Sequence, residues 1–218
     1  MDIKSQLIET GKYLKNNKLA WGTSGNLSAR LDEGYMQITA SGTIMEDLTE
    51  HDFVEINVES GKVIGTKRAS KETPFHLGIY QNRPDINVVL HSSPLYTTLF
   101  SCSEERIPSN LFIETMYYLE RIAYVDYHHP GTQQLADAIT EKSKEANIIV
   151  MKNHGVVVFD TSFAEAKMRL ETLELACEML IKAKSAGIEL NGLPQKVVME
   201  FLEESKYKPR QRIEHVNK

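Results

Sequence analysis

The sequence predicts an α/β fold in which a mixed, largely antiparallel sheet is covered by helices. Three observations point there. Two short β-hairpins stand in the first third of the chain, apolar strand-like runs then alternate with segments of helical period, and a long amphipathic helix follows the last run. With 218 residues, 41% hydrophobic and 25% charged, and no linker or charge block dividing them, residues 1–218 read as one domain.

The elements follow in order. MDIKSQLIETGKYLKNN spaces Ile3, Leu7, Ile8, Gly11 and Leu14 along one helix face and lacks the apolar core of a signal peptide. The small-residue loop 22–25 leads into a strand, Asp32-Glu33-Gly34 turns the chain, and residues 35–39 return as the second strand of a hairpin. After the loop Ala40-Ser41-Gly42-Thr43 and a helical turn near 45–48, FVEINV and VIGTK flank the turn Glu59-Ser60-Gly61-Lys62 as a second hairpin.

A helix over 71–81 ends at Arg83-Pro84-Asp85, and VVLH, residues 88–91, reads as a buried strand. Pro94 suits the first turn of the next helix, since its missing N–H is not needed there. Residues 114–119 fit helix or strand equally. Then come a strand at 122–125, a helix at 133–143, a strand at 147–150, and the turn Asn153-His154-Gly155 leading straight into VVVF. The long helix, 163–186, aligns Ala166, Leu170, Leu173, Ala176, Cys177 and Leu180 and stops at Gly187. A last helix is expected over 194–205, with a loosely held charged tail from about 206.

Composition narrows the functional classes. A net charge of −5, with basic residues scattered except at 67–71, lacks the concentrated basic face that nucleic acid requires. Two distant cysteines, Cys102 and Cys177, imply neither a disulfide framework nor a CxxC metal site, and a cytoplasmic location is expected. No apolar run approaches membrane-spanning length, so no membrane association is expected.

The chemistry gathers around two histidines. His91 and His154 each lie where an apolar strand meets a turn; alone, either is a polar residue that stops a strand, but together they can bring two imidazoles to one rim of the sheet, as a divalent metal requires. Glu72, opening the helix after 67–71, is either a helix-dipole partner or a third ligand and general acid/base. His76 shares its helix face but, beside Phe75 and Leu77, reads as a hydrogen-bonded packing residue. The loops Thr23-Ser24-Gly25-Asn26 and Ser41-Gly42-Thr43 can converge backbone N–H groups and hydroxyls on an anion, with Ser70 and Lys71 nearby.

Taken together, WGTSGNLSAR, ITASGT, ASKETPFHLGIYQNRPDINVVLHSS and NHGVVVFD, in this order between about residues 21 and 180, resemble the class II aldolase/adducin superfamily. The resemblance implies a three-layer α/β/α sandwich, a homotetramer with sites at subunit interfaces, and a divalent metal, zinc before manganese or cobalt. It places the metal on His91, His154 and Glu72, and phosphate on Thr23, Asn26, Ser41, Gly42, Ser70 and Lys71. Two departures stand out: Ser93 occupies the second position of the family's His-x-His pair, and Lys71 replaces a second serine. For the tyrosine that some members contribute across the interface, Phe112 lies near the aligned place and Tyr117 and Tyr118 about a turn later.

The implied activity is reversible cleavage of a small ketose 1-phosphate to dihydroxyacetone phosphate and an aldehyde, with Glu72 carrying the proton. Decarboxylation, epimerisation or dehydration of a related sugar phosphate or sugar-acid phosphate would use the same apparatus. The competing class is a non-catalytic adducin-like interaction domain, which Ser93 favours and the Glu72, His91 and His154 set opposes.

Overall fold

In a computed structural model, residues 2–31, 34–210 and 213 are described. The helices are α1 (Ile3–Asn16), α2 (Thr73–Asn82), α3 (Leu95–Ser101), α4 (Ile113–Tyr118), α5 (Gln133–Lys142), α6 (Phe163–Ser185) and α7 (Gln195–Glu204). The strands are β1 (Asn26–Arg30), β2 (Tyr35–Thr39), β3 (Phe53–Asn57), β4 (Val63–Ile64), β5 (Val88–Ser92), β6 (Ile122–Val125), β7 (Ile148–Met151) and β8 (Gly155–Asp160). They form one sheet in the order β4-β3-β2-β1-β5-β8-β7-β6. Among the described residues only β6 and β7 pair in parallel, so the sheet is mixed and largely antiparallel.

Strand periodicity divides the side chains between two cores. Leu27, Ala29, Val88, Leu90, Val156 and Val158 join the helices α1, α3, α4, α6 and α7 on one face. Met36, Ile38, Val89, Val157 and Phe159 pack against α2 and α5 on the other. The result is the expected three-layer α/β/α sandwich. On the α2 face, β1 presents two polar residues, Asn26 and Ser28, and both are buried.

Local chemistry explains where the elements differ from expectation. Residues 113–118 choose helix because the Thr115 hydroxyl accepts from the Leu111 and Phe112 N–H groups and satisfies donors that a helix start leaves open. VIGTK keeps only Val63 and Ile64 in the sheet, an exposed edge strand with β3 as its one partner. Pro94 sits just outside α3, with ψ 153 in the extended region, instead of in the first turn. A 3-10 turn at Glu50–Asp52, held by reciprocal Thr49 and Asp52 hydrogen bonds, was not foreseen. Gly187, at φ +68, follows the end of α6 as expected.

In the first hairpin turn, Asp32 and Glu33 lie outside the described residues. In the tail, Tyr207 packs against Tyr117 and Phe201, Lys208 pairs with Glu165 at 2.7 Å, and Arg210 pairs with Glu120. Of the expected loose tail, residues 211, 212 and 214–218 lie outside the described residues. No described helix is long and apolar enough to cross a membrane.

Candidate metal centre

The strand β5 runs through the middle of the sheet between β1 and β8, with His91 opposite Asn26 on one side and Val157 on the other. His91 faces α2, where the Phe75 ring meets it edge-on at 6.0 Å. Its Nδ1 is 3.0 Å from the Val156 carbonyl oxygen, which can only accept; Nδ1 therefore carries a proton and Nε2 is the atom aimed into the site.

His154 reaches the same place through a tight turn. Asn153 has φ +55 and Gly155 φ +146. A Cβ on Gly155 would stand 2.6 Å from Ser92 O and 2.8 Å from Ser93 Oγ, so only glycine lets this turn close on the end of β5. Gly25 plays the matching part on the other side, where a Cβ would meet His91 O at 2.5 Å. Glu72 immediately precedes α2, whose start is set by Thr73 and Pro74, and the positive end of the helix dipole favours its carboxylate there.

The three side chains converge. Glu72 Oε2 lies 3.3 Å from His91 Nε2, and Glu72 Oε1 lies 3.3 Å from His154 Nε2. The two imidazole centroids are 5.0 Å apart, and the ligand-capable atoms of all three residues lie within 4.8 Å of one another. With Nδ1 of His91 protonated, a neutral ring would turn a lone pair toward a carboxylate oxygen. Two acceptors in contact need a cation between them, either a proton or a metal.

Two further details favour a metal-binding set. Glu72 Oε1 and His154 Nδ1 are buried without a hydrogen-bond partner among the described residues. Burial holds His154 below the ordinary imidazole range, His91 adds to that, and Glu72 opposes it; the ring thus favours the neutral form in which it can ligate. Two imidazoles and one carboxylate suit a divalent cation with a coordination position left open. Ser93 is adjacent but differently employed: its hydroxyl donates to His154 O at 3.1 Å, and its carbonyl accepts from Trp21 Nε1 at 3.1 Å. It clamps the histidine turn to the strand end.

The triad lies in a cleft of about 550 Å³. All six residues expected to bind an anion, Thr23, Asn26, Ser41, Gly42, Ser70 and Lys71, line it, together with Glu72, His91, Ser93 and His154. Trp21 and Pro130 also line it and were not anticipated. Lys71 is exposed at the rim, and Gly131 packs beside its Cβ. Tyr117 and Tyr118 lie elsewhere, buried in α4. The Tyr117 hydroxyl donates to Pro209 O at 2.7 Å and that of Tyr118 to Glu165 at 3.2 Å, while burial raises both phenol pKa values. A separate cavity of about 210 Å³, between the α3 end and β6, contains none of the candidate residues.

Behind Glu72 lies a buried polar chain that sequence reasoning missed. Asn26 Nδ2 donates to Glu72 Oε2 at 2.6 Å, and Asn26 Oδ1 is 2.5 Å from His76 Nε2. His76 Nδ1 is 2.7 Å from Ser28 Oγ, which is 2.9 Å from Tyr80 OH. His76 also stacks on Phe75 at 4.6 Å, so the packing role expected for it holds alongside this polar one. The signal was present as Asn26 and Ser28 at strand period and His76 and Tyr80 at helical period.

Residues 5–181 match the family described as Class II Aldolase and Adducin N-terminal domain. The chain is 33% identical to the L-fuculose phosphate aldolase of Methanococcus vannielii over 80% of this chain and 92% of that protein. It is 28% identical to the 3-oxo-tetronate 4-phosphate decarboxylase of Haemophilus influenzae over 85% and 90% respectively. Among solved structures, YgbL of Klebsiella pneumoniae, described as a candidate aldolase/epimerase/decarboxylase, superposes with a TM-score of 0.83 at 25% identity, covering 91% of this chain and 96% of that one.

Proposed function

This chain belongs to the class II aldolase/adducin family, and from that premise we propose that it is a metal-dependent carbon–carbon lyase cleaving a small ketose 1-phosphate reversibly to dihydroxyacetone phosphate and an aldehyde. The observation that carries the reading is the approach of Glu72 to both histidines, 3.3 Å from each Nε2, at the floor of a cleft walled by small residues. An adducin-like interaction domain has no use for that convergence.

His91, His154 and Glu72 would hold the cation, zinc before manganese or cobalt, and its chemistry is Lewis-acid polarisation of the ketose carbonyl. His91 is locked in orientation by Val156 O, which spares the site reorganisation when substrate enters. Glu72, loosened from the cation as substrate enters, would deliver a proton to the carbon that keeps the bonding pair when the C–C bond breaks. The reacting hydroxyl gives up its proton to a neighbouring subunit's tyrosine, and both transfers reverse in the synthetic direction. Thr23, Ser41, Gly42 and Ser70 offer hydroxyls and backbone N–H groups to the phosphate, and Lys71 adds a full charge at the rim, whereas Asn26, also expected there, has its side-chain amide engaged by Glu72 and His76. Phosphate binding there orients the reacting carbons over Glu72. A homotetramer with its sites at subunit interfaces is part of the same proposal, and so is a proton-donating tyrosine from a neighbouring subunit.

A second reading, decarboxylation of a sugar-acid phosphate, has Lys71 in its favour, because a cation at the cleft suits a carboxylate-bearing substrate; the resemblance to a 3-oxo-tetronate 4-phosphate decarboxylase supports it too. One experiment separates the two. Purified protein is analysed for bound metal before and after a mild chelator, then assayed for dihydroxyacetone phosphate release from ketose 1-phosphates and for CO2 release from 3-oxo-sugar-acid phosphates. Chelator-sensitive dihydroxyacetone phosphate release supports the aldolase; CO2 release alone replaces it with the decarboxylase; neither activity in metal-loaded protein overturns both.

A further inference from the structure

We propose that Tyr80, Ser28, His76 and Asn26 form a positioning chain that fixes the carboxylate of Glu72, with His76 as the residue that sets its direction. The inference rests on Glu72 being the acid/base of the reaction proposed above, but the direction of the chain follows from the hydrogen bonds alone.

An amide side chain has an acceptor end and a donor end, and Asn26 must present the donor to Glu72. Reversed, its carbonyl would face a carboxylate oxygen at 2.6 Å, acceptor against acceptor. His76 prevents the reversal. With Asn26 Oδ1 at 2.5 Å, Nε2 must be the protonated nitrogen, which makes Nδ1 an acceptor for the Ser28 hydroxyl at 2.7 Å. Ser28, whose hydroxyl hydrogen is engaged in donating to His76, accepts from the Tyr80 hydroxyl at 2.9 Å. Every donor in the series then points the same way and the last one ends on Glu72.

The surroundings keep the chain in this state. Ser28 and His76 are 0% exposed, Tyr80 2% and Asn26 5%, so water offers no alternative partner. Burial, helped by His91, holds His76 well below the ordinary imidazole range, which keeps the ring neutral with one donor and one acceptor. His76 and Tyr80 are one turn apart on α2, and both reach Ser28 on β1; the chain thus also ties the helix that carries Glu72 to the strand beside His91. None of Ser28, His76 and Tyr80 lines the cleft, so their effect on catalysis passes through Asn26.

Two measurements test this. Long-range 15N–1H spectra of the imidazole rings in the full-length protein should show His76 protonated at Nε2 only; a ring protonated at Nδ1, or at both nitrogens, would overturn the proposal whatever reaction the protein catalyses. In the metal-loaded enzyme, His76→Leu should lower kcat 10- to 100-fold with KM nearly unchanged. His76→Gln, which can still donate to Asn26, should recover most of that loss. Full activity in His76→Leu, or no recovery in a folded His76→Gln, would count against the chain. If the wild type cleaves no ketose 1-phosphate, the proposed reaction fails and the ring spectrum decides this proposal alone.

Discussion

A Cβ on Gly155 would stand 2.6 Å from the carbonyl oxygen of Ser92, so the backbone of the histidine turn rests directly on the end of β5. This contact, together with φ +146, holds His154 opposite Glu72. Gly155→Ala is expected to destabilise the fold by about 1–3 kcal/mol and to weaken metal binding by roughly 10- to 100-fold. Denaturant unfolding and competition with a metal-indicator dye measure the two effects. Unchanged metal affinity would show that the turn is not what places His154.

Glu72→Gln keeps the shape of the side chain but removes its charge and its ability to take a proton. Turnover should fall by about 10²- to 10⁴-fold, the usual contribution of a general acid/base. The KM for phosphorylated substrate should change little, because the substitution keeps the side chain's shape and leaves the hydroxyls, backbone N–H groups and Lys71 expected to hold phosphate in place. Steady-state kinetics with metal supplied in excess separates these terms, and equal losses in both would remove Glu72 from the proton-transfer role.

Lys71→Met should act in the opposite sense. Loss of a charge-assisted contact to phosphate raises KM by roughly 10-fold while kcat stays close to that of the wild type. Since Lys71 is exposed, the difference between the two proteins should narrow as salt is raised. A variant with unaltered KM at low salt would place the phosphate away from this side chain.

His76 makes stability depend on pH. In the folded protein it stays neutral well below the ordinary imidazole pKa, whereas the unfolded chain takes up the proton near pH 6.5. Its contribution is therefore complete above about pH 6.5 and declines as pH falls from there toward the folded-state pKa, by up to about 1.4 kcal/mol per pH unit. Unfolding midpoints of metal-stripped protein between about pH 4.5 and 7.5 should fall more steeply for the wild type than for His76→Gln. Parallel curves would mean that His76 is protonated inside the fold.

The strands and most helices were legible because burial imposes a period on them: VVLH and VVVF are apolar on both faces, as central strands covered by two helical layers must be. The meeting of His91 and His154 was legible for a related reason, since each stands where an apolar strand meets a turn and the two strands share one sheet. What escaped was decided by single local contacts. Thr115 turned an ambiguous segment into helix, and an exposed edge reduced the VIGTK strand to two residues. Ser93 looked in sequence only like a missing ligand, whereas its hydroxyl closes the histidine turn. The polar chain through His76 was hidden because its members come from two elements, and each alone is an ordinary polar residue in an amphipathic pattern.

The sheet order has one more consequence. β5 and β8 are hydrogen-bonded neighbours at its centre, so His91 on β5 and the tight turn that carries His154 into β8 are held side by side at the interstrand distance of about 4.8 Å. The segments bearing Thr23, Ser41 and Pro130 hang over that anchored pair from separate connections. Changes in those segments would therefore alter what the cleft admits while the floor formed by Glu72, His91 and His154 keeps its dimensions, so that binding and bond chemistry would rest on different parts of the polypeptide.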